Sequence, residues 1–98
     1  MPNVEDILNE RQKTHGDFKA HAGLSQSLKM ACESHNNYRE LSAVQREAIS
    51  MILHKIARAV VGNANHVDHW DDIQGYAKLV SNELNSSEVK TVQPFGGV

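Results

Sequence analysis

Cysteine occurs once in the 98 residues, at Cys32, so neither an intrachain disulfide nor a cysteine-based zinc site is open to the chain. Long apolar runs are missing too. No stretch approaches the roughly eighteen consecutive apolar residues that a membrane span needs. The opening Met-Pro-Asn-Val-Glu-Asp has neither the basic start nor the apolar core of a signal peptide, and a lone thiol suits a reducing compartment, so a cytoplasmic protein is expected. An excess of positive charge is also lacking. Ten Lys and Arg stand against twelve Asp and Glu, a formal net charge of −2, with no Lys/Arg stripe to attract nucleic acid. Finally, no internal repeat and no run of alternating polar and apolar residues is present, which argues against strands.

What remains is a chain of single-domain size whose apolar residues recur at helical spacing. Val4, Ile7, Leu8 and Arg11 share one face, predicting a helix over 3–13. Gly16 is suited to a left-handed helix end and Asp17 to capping the next helix, whose apolar positions Phe18, Ala22, Leu24, Leu28 and Ala31 predict a helix over 17–33. Residues 34–38 are polar and turn-rich. Ser42 and Gln45 have the form of a capping box ahead of the longest apolar stripe, Val44, Ala48, Ile49, Ile52, Ile56, Ala59 and Val60. That helix is expected over 42–61, ending at Gly62-Asn63. Trp70, Ile73, Ala77, Val80 and Leu84 predict a last helix over 67–84. The expected architecture is an all-α domain over residues 1–84, a compact four-helix bundle, followed by a flexible tail over 85–98 in which only Thr91-Val92-Gln93 could pair as a short extended piece.

Polar rows interrupt the apolar surface. Glu47, Met51, Lys55 and Arg58 stack at steps of four, four and three on the third helix, and Asp68 and Asp72 stand one turn apart on the fourth with Asp71 beside them. A short loop makes these helices antiparallel neighbours, so Glu47, Lys55 and Arg58 are expected to meet Asp68 and Asp72 in one polar cluster. Two readings fit. The cluster can be an ion-pair network that fixes the pairing of the helices. It can also be a magnesium–phosphate site, with Glu47, Asp68 and Asp72 as oxygen ligands and catalytic carboxylates, and Lys55 and Arg58 on phosphate oxygens.

The first loop adds Arg11, His15 and Asp17, which could reach a ligand phosphate or base, or serve respectively as an ion-pair partner, a loop residue and a helix cap. Trp70, Tyr76 and Phe18 could stack on a base or belong to the core. His66 and His69 have the spacing to chelate zinc from one turn, but no third ligand recurs at a matching spacing, and His15, His21, His35 and His54 look scattered. Gly75, inside the last helix, costs about 1 kcal/mol relative to alanine, which predicts close approach of a helix or ligand there.

Four blocks in order, Ile7-Leu8-Asn9-Glu10-Arg11, His15-Gly16-Asp17-Phe18, Met51 to Arg58 and Asp68 to Ala77, resemble a set of small phage and prophage proteins classed as a domain of unknown function. His15 stands where that family commonly has Tyr. Those proteins in turn resemble the all-α nucleoside triphosphate pyrophosphohydrolases of the MazG and dUTPase type. The resemblance implies a helical bundle, often dimeric, in which acidic residues on neighbouring helices hold magnesium while water attacks the α-phosphorus and releases pyrophosphate. The Glu-Glu-x-x-Glu cluster of those enzymes is absent as such, since Met51 stands four residues after Glu47, and only Asp68 and Asp72 match their late acidic pair.

The expectation is a nucleotide-handling phage protein in the cytoplasm of an infected bacterium. It would be either a magnesium-dependent nucleoside triphosphate pyrophosphohydrolase or a degenerate relative that binds a nucleotide. Arg11, His15, Asp17, Lys55, Arg58 and Trp70 would contact substrate. The alternative is a protein that binds and modulates a host protein without catalysis. Self-association as a homodimer is expected because Met30, Leu53, Val61 and Leu79 lie off the main stripes and need covering.

Overall fold

In the computed structural model, residues 3–90 are described. They form α1 (Val4–His15), α2 (Phe18–Glu33), a 3₁₀ turn over Asn36–Glu40, α3 (Ala43–Val61) and α4 (Val67–Lys90), with no strand among them. The all-helical class and the four expected helices are therefore present.

Side-chain caps set where three of the helices begin. Asn3 precedes α1, its side chain accepting from the Asp6 amide at 2.8 Å while the Asp6 carboxylate accepts from the Asn3 amide at 3.4 Å. Asp17 accepts from the Ala20 amide at 3.1 Å and starts α2. Ser42 and Gln45 form the reciprocal pair expected for α3, at 3.1 and 2.9 Å. Each cap satisfies amides that the first turn leaves without partners, and removing one costs about 1 kcal/mol.

The ends depart from the sequence expectation at two places. α1 continues to His15 before Gly16, whose φ of 78° and ψ of −176° lie outside the left-handed helical well and in a region open essentially to glycine. α4 continues to Lys90, so residues 85–90, expected in the tail, are helical. The apolar stripe does stop at Leu84, but Asn85 to Lys90 contains neither glycine nor proline to break the helix. The rest of the expected tail, Thr91-Val92-Gln93 included, lies outside the described residues.

α3 is the central element. It packs along both α2 and α4 and also touches α1, while α1 and α2 meet only lightly. Its Ala48, Ala57 and Ala59 are the buried apolar residues among those described, small enough to let neighbouring helices approach closely. The tightest approach is where the end of α1 crosses the loop between α3 and α4. A Cβ added at Gly62 would stand 2.5 Å from the Thr14 carbonyl oxygen and 2.5 Å from the carbonyl carbon of His15. The Thr14 carbonyl accepts from the Asn63 amide at 3.0 Å and from Nε2 of the fully buried His69 at 2.9 Å. One carbonyl thus ties α1 to both the α3–α4 loop and α4.

Gly75 corrects a sequence expectation: a Cβ there would meet nothing within 4 Å, so the close approach inferred from its place in a helix is absent among the described residues.

Candidate functional site

Where α1, the start of α2 and the end of α3 converge, a cleft of about 490 Å³ opens, lined by Leu8, Arg11, Gln12, His15, Gly16, Phe18, His21 and Arg58. This volume is in the range that holds small organic ligands. Its geometry follows from the local chain. The Gly16 turn folds α2 back beside α1, and the Asp17 cap makes Phe18 the first helical residue. Phe18 is 74% exposed at the cleft's edge. A wider depression on the outer face of α1 is lined by that helix alone and carries Asp6 and Glu10 beside Arg11, so its charge is mixed.

Among the described residues the cleft wall contains no Asp or Glu. Burial lowers the pKa of Arg58, the Arg11 guanidinium lowers it further, and Asp72 acts in the opposite direction. Arg11 and Arg58 are thus like charges facing one space. Burial and then Arg58 push His15 and His21 below the ordinary histidine value of 6.5, so both rings are neutral at pH 7. His54 packs edge-on against His21, ring centroids 4.6 Å apart, and is lowered to about 4 by burial and Arg58. Near neutral pH the cleft therefore presents two cations and two neutral imidazoles. Behind it, Nε2 of His21 and Oγ of Ser25 are buried one turn apart on α2 with no hydrogen-bond partner among the described residues.

The acidic residues lie elsewhere. Asp72 accepts a 2.8 Å ion pair from Lys55, whose side chain is 13% exposed, and this contact first and foremost lowers the Asp72 pKa. Asp68 is exposed, its carboxylate 3.6 Å from Nε2 of His66. Glu47 is exposed two turns before Lys55. Because α3 and α4 run antiparallel with Lys55 level with Asp72, the helical rise sets Glu47 roughly 12 Å along the axis from Asp72 and roughly 18 Å from Asp68. The expected single cluster is therefore only partly assembled: Lys55 and Asp72 pair, Arg58 lies in their field, and Glu47 and Asp68 stand apart. No three His, Cys, Asp or Glu side chains among the described residues are arranged to hold a metal ion. Asp17 is engaged as the α2 cap. Trp70 closes the α3–α4 loop, its Nε1 donating to the Ala64 carbonyl at 2.7 Å, and does not line the cleft.

Residues 2–84 match a protein family described as a domain of unknown function, DUF6378. The chain belongs to this family. No curated protein and no solved structure matches it. The part matched to DUF6378 includes the whole cleft, the Lys55–Asp72 pair and the Gly16–Gly62 crossing.

Two groupings within the DUF6378 region escape a reading of the sequence. His15 stands beside His66 and His69, ring centroids 6.1 and 5.1 Å away, and His21 stands beside His54. Histidines that look scattered along the chain are thus gathered by the α1 crossing and the α2–α3 contact. His21 and Phe18 join the cleft because the Gly16 turn returns the chain beside α1. The turn glycine is a signal for that reversal, but it does not say which side chains will face Arg58.

Proposed function

We propose that this protein binds a nucleotide, with the phosphate held between Arg11 and Arg58 and the ring lying against Leu8 and the exposed Phe18. The observation that carries this reading is a cleft wall with two guanidiniums and, among the described residues, no carboxylate. Guanidinium groups offer planar, bidentate donors that fit phosphate oxygens, and an exposed aromatic at the edge offers a stacking surface. Unpaired buried polar atoms behind the wall cost stability, which fits a region shaped for a ligand rather than for packing. Of the two forms of the nucleotide expectation, the geometry favours binding over magnesium-dependent pyrophosphohydrolysis, since Glu47, Asp68 and Asp72 do not converge. The test is a thermal-shift and calorimetric panel of nucleotides against the native chain and Arg58→Ala. Binding lost in the variant supports the reading, and equal binding by both proteins removes it. Pyrophosphate release that depends on magnesium and disappears in Asp72→Ala would instead restore the hydrolase form.

The same reading includes self-association through a second copy of the chain. It is supported by the exposed Val4, Ile7 and Leu8 of α1, a helix that buries no residue completely, and by exposed Met30 and Leu79. Sedimentation at tens of micromolar giving only a 10.9 kDa monomer would remove it.

A further inference from the structure

Arg11 and Arg58 face a common cleft, and the Arg11 guanidinium makes the Arg58 charge more costly. No carboxylate in the wall relieves them. Asp72 bears on Arg58 from outside the cleft but is bonded to Lys55 at 2.8 Å. His15 and His21 contribute no charge near pH 7, so the cleft offers two positive charges to whatever enters it. A phosphate monoester, whose second ionisation lies near pH 6, carries close to two negative charges at neutral pH and matches that count. A triphosphate carries about twice as much. Its surplus is normally met by a divalent cation, which needs oxygen ligands from the protein or from water and phosphate. Among the described residues the cleft wall offers no carboxylate for such an ion: Asp17 caps α2, Glu10 pairs with Lys13 on the outer face of α1, and Asp72 pairs with Lys55.

Resting on the nucleotide reading above, we infer that the ligand of this cleft is a phosphate monoester dianion carrying a flat ring, in the manner of a nucleoside monophosphate, held by Arg11 and Arg58 without a divalent metal. The ester oxygen faces away from the guanidinium pair, and the ring takes the apolar side formed by Leu8 and Phe18. Charge is balanced inside the cleft by protein groups alone, so binding is independent of magnesium.

The experiment is calorimetry on the full chain with the four common nucleoside 5′-monophosphates and the corresponding triphosphates, each in excess magnesium and in EDTA, at pH 7.5. At least one monophosphate is expected to bind with the same affinity in both conditions. Arg11→Ala, a change on the exposed surface of α1, is expected to weaken it about tenfold or more, the scale of one charge-assisted contact. Arg58→Gln, which keeps most of the side chain's bulk, is expected to do at least as much. Triphosphate binding that requires magnesium, with no monophosphate bound, overturns this inference while leaving the nucleotide reading in place. Monophosphate binding unaffected by both arginine variants overturns the placement. Binding of no nucleotide in any condition overturns the nucleotide reading and this inference with it.

Discussion

Lys55 and Arg58 stand less than one turn apart on α3, yet they serve regions of opposite character. Lys55 is almost covered and meets an acid, Asp72, at 2.8 Å. Arg58 faces a cleft that holds another cation and no acid. The first arrangement is complete within the protein, and a pair of this kind contributes mainly by fixing how α3 and α4 register. The second is incomplete within the protein. Two like charges around an open space raise the free energy of the empty fold and lower that of an anion-bound one, the pattern expected where binding rather than stability shaped a region. The sequence shows both basic residues in one row with one spacing. Only their surroundings separate a structural charge from a functional one.

The largest expected effect concerns the crossing that holds the cleft's walls together. Gly62→Ala would drive a Cβ to 2.5 Å from the backbone of Thr14 and His15, atoms that cannot swing aside. Relief requires α1 to move away, with loss of the Asn63 and His69 hydrogen bonds to the Thr14 carbonyl. A loss of about 3 kcal/mol is expected from overpacking and the bonds broken together, read by chemical denaturation. An unchanged midpoint would show that α1 is not anchored there and that the cleft has no fixed third wall.

The second effect is one of pH. His15, His21 and His54 all have folded pKa values below the ordinary 6.5, burial being the first cause in each. In that range the unfolded chain binds more protons than the folded one, so stability falls as pH falls. It is complete above about pH 6.5 and is lost progressively towards about 4, where His54 itself titrates in the fold. Thermal melts across pH 8 to 4 check this. His54→Gln, which cannot be protonated, should flatten the profile.

A smaller contrast sharpens the comparison between the two basic residues. Asp72→Asn leaves the Lys55 ammonium largely covered and without its partner. Lys55→Met leaves Asp72, about half exposed, in contact with water. The aspartate variant should therefore be the more destabilised of the two in matched denaturation curves. Equal losses would mean that Lys55 reaches solvent when its partner is removed, and the pair would then rank with ordinary surface ion pairs.

How much was legible in the sequence follows from what each feature depends on. The caps at Asp17 and at Ser42 with Gln45 are local, set by side chains within three residues, and they appear as read. The apolar period likewise placed α2 and α3 well. It stopped short on α4, because a helix continues past its last apolar contact wherever no residue interrupts it. The site was legible only as residue types. Arg11, His15 and Arg58 do meet, but the expected partnership of Glu47 with Asp68 and Asp72 failed on axial distance, which depends on helix register. Trp70, expected to contact substrate or to join the core, lies outside the cleft lining and closes the α3–α4 loop, its indole N–H donating to the Ala64 carbonyl six residues back.

The smallest expected effect turns on Gly75. Glycine inside a helix is unfavourable by about 0.5–1 kcal/mol relative to alanine, because the unfolded chain gains freedom that folding must remove. That cost can be offset where the missing Cβ makes room for a neighbour, as at Gly62. At Gly75 an added Cβ meets nothing within 4 Å, so nothing within the described chain offsets it. Gly75→Ala should therefore stabilise the isolated protomer by about 0.5–1 kcal/mol. Gly23, equally open in α2, supplies the control and should respond in the same way. If both gain, α4 is exposed at Gly75 and any second copy docks elsewhere, in keeping with the apolar residues of α1. If Gly23→Ala gains while Gly75→Ala loses stability that returns at higher protein concentration, another chain approaches α4 at Gly75. The glycine would then be explained by contact between protomers, and of the exposed apolar residues it would be Leu79, one turn on along α4, rather than those of α1, that the second copy covers.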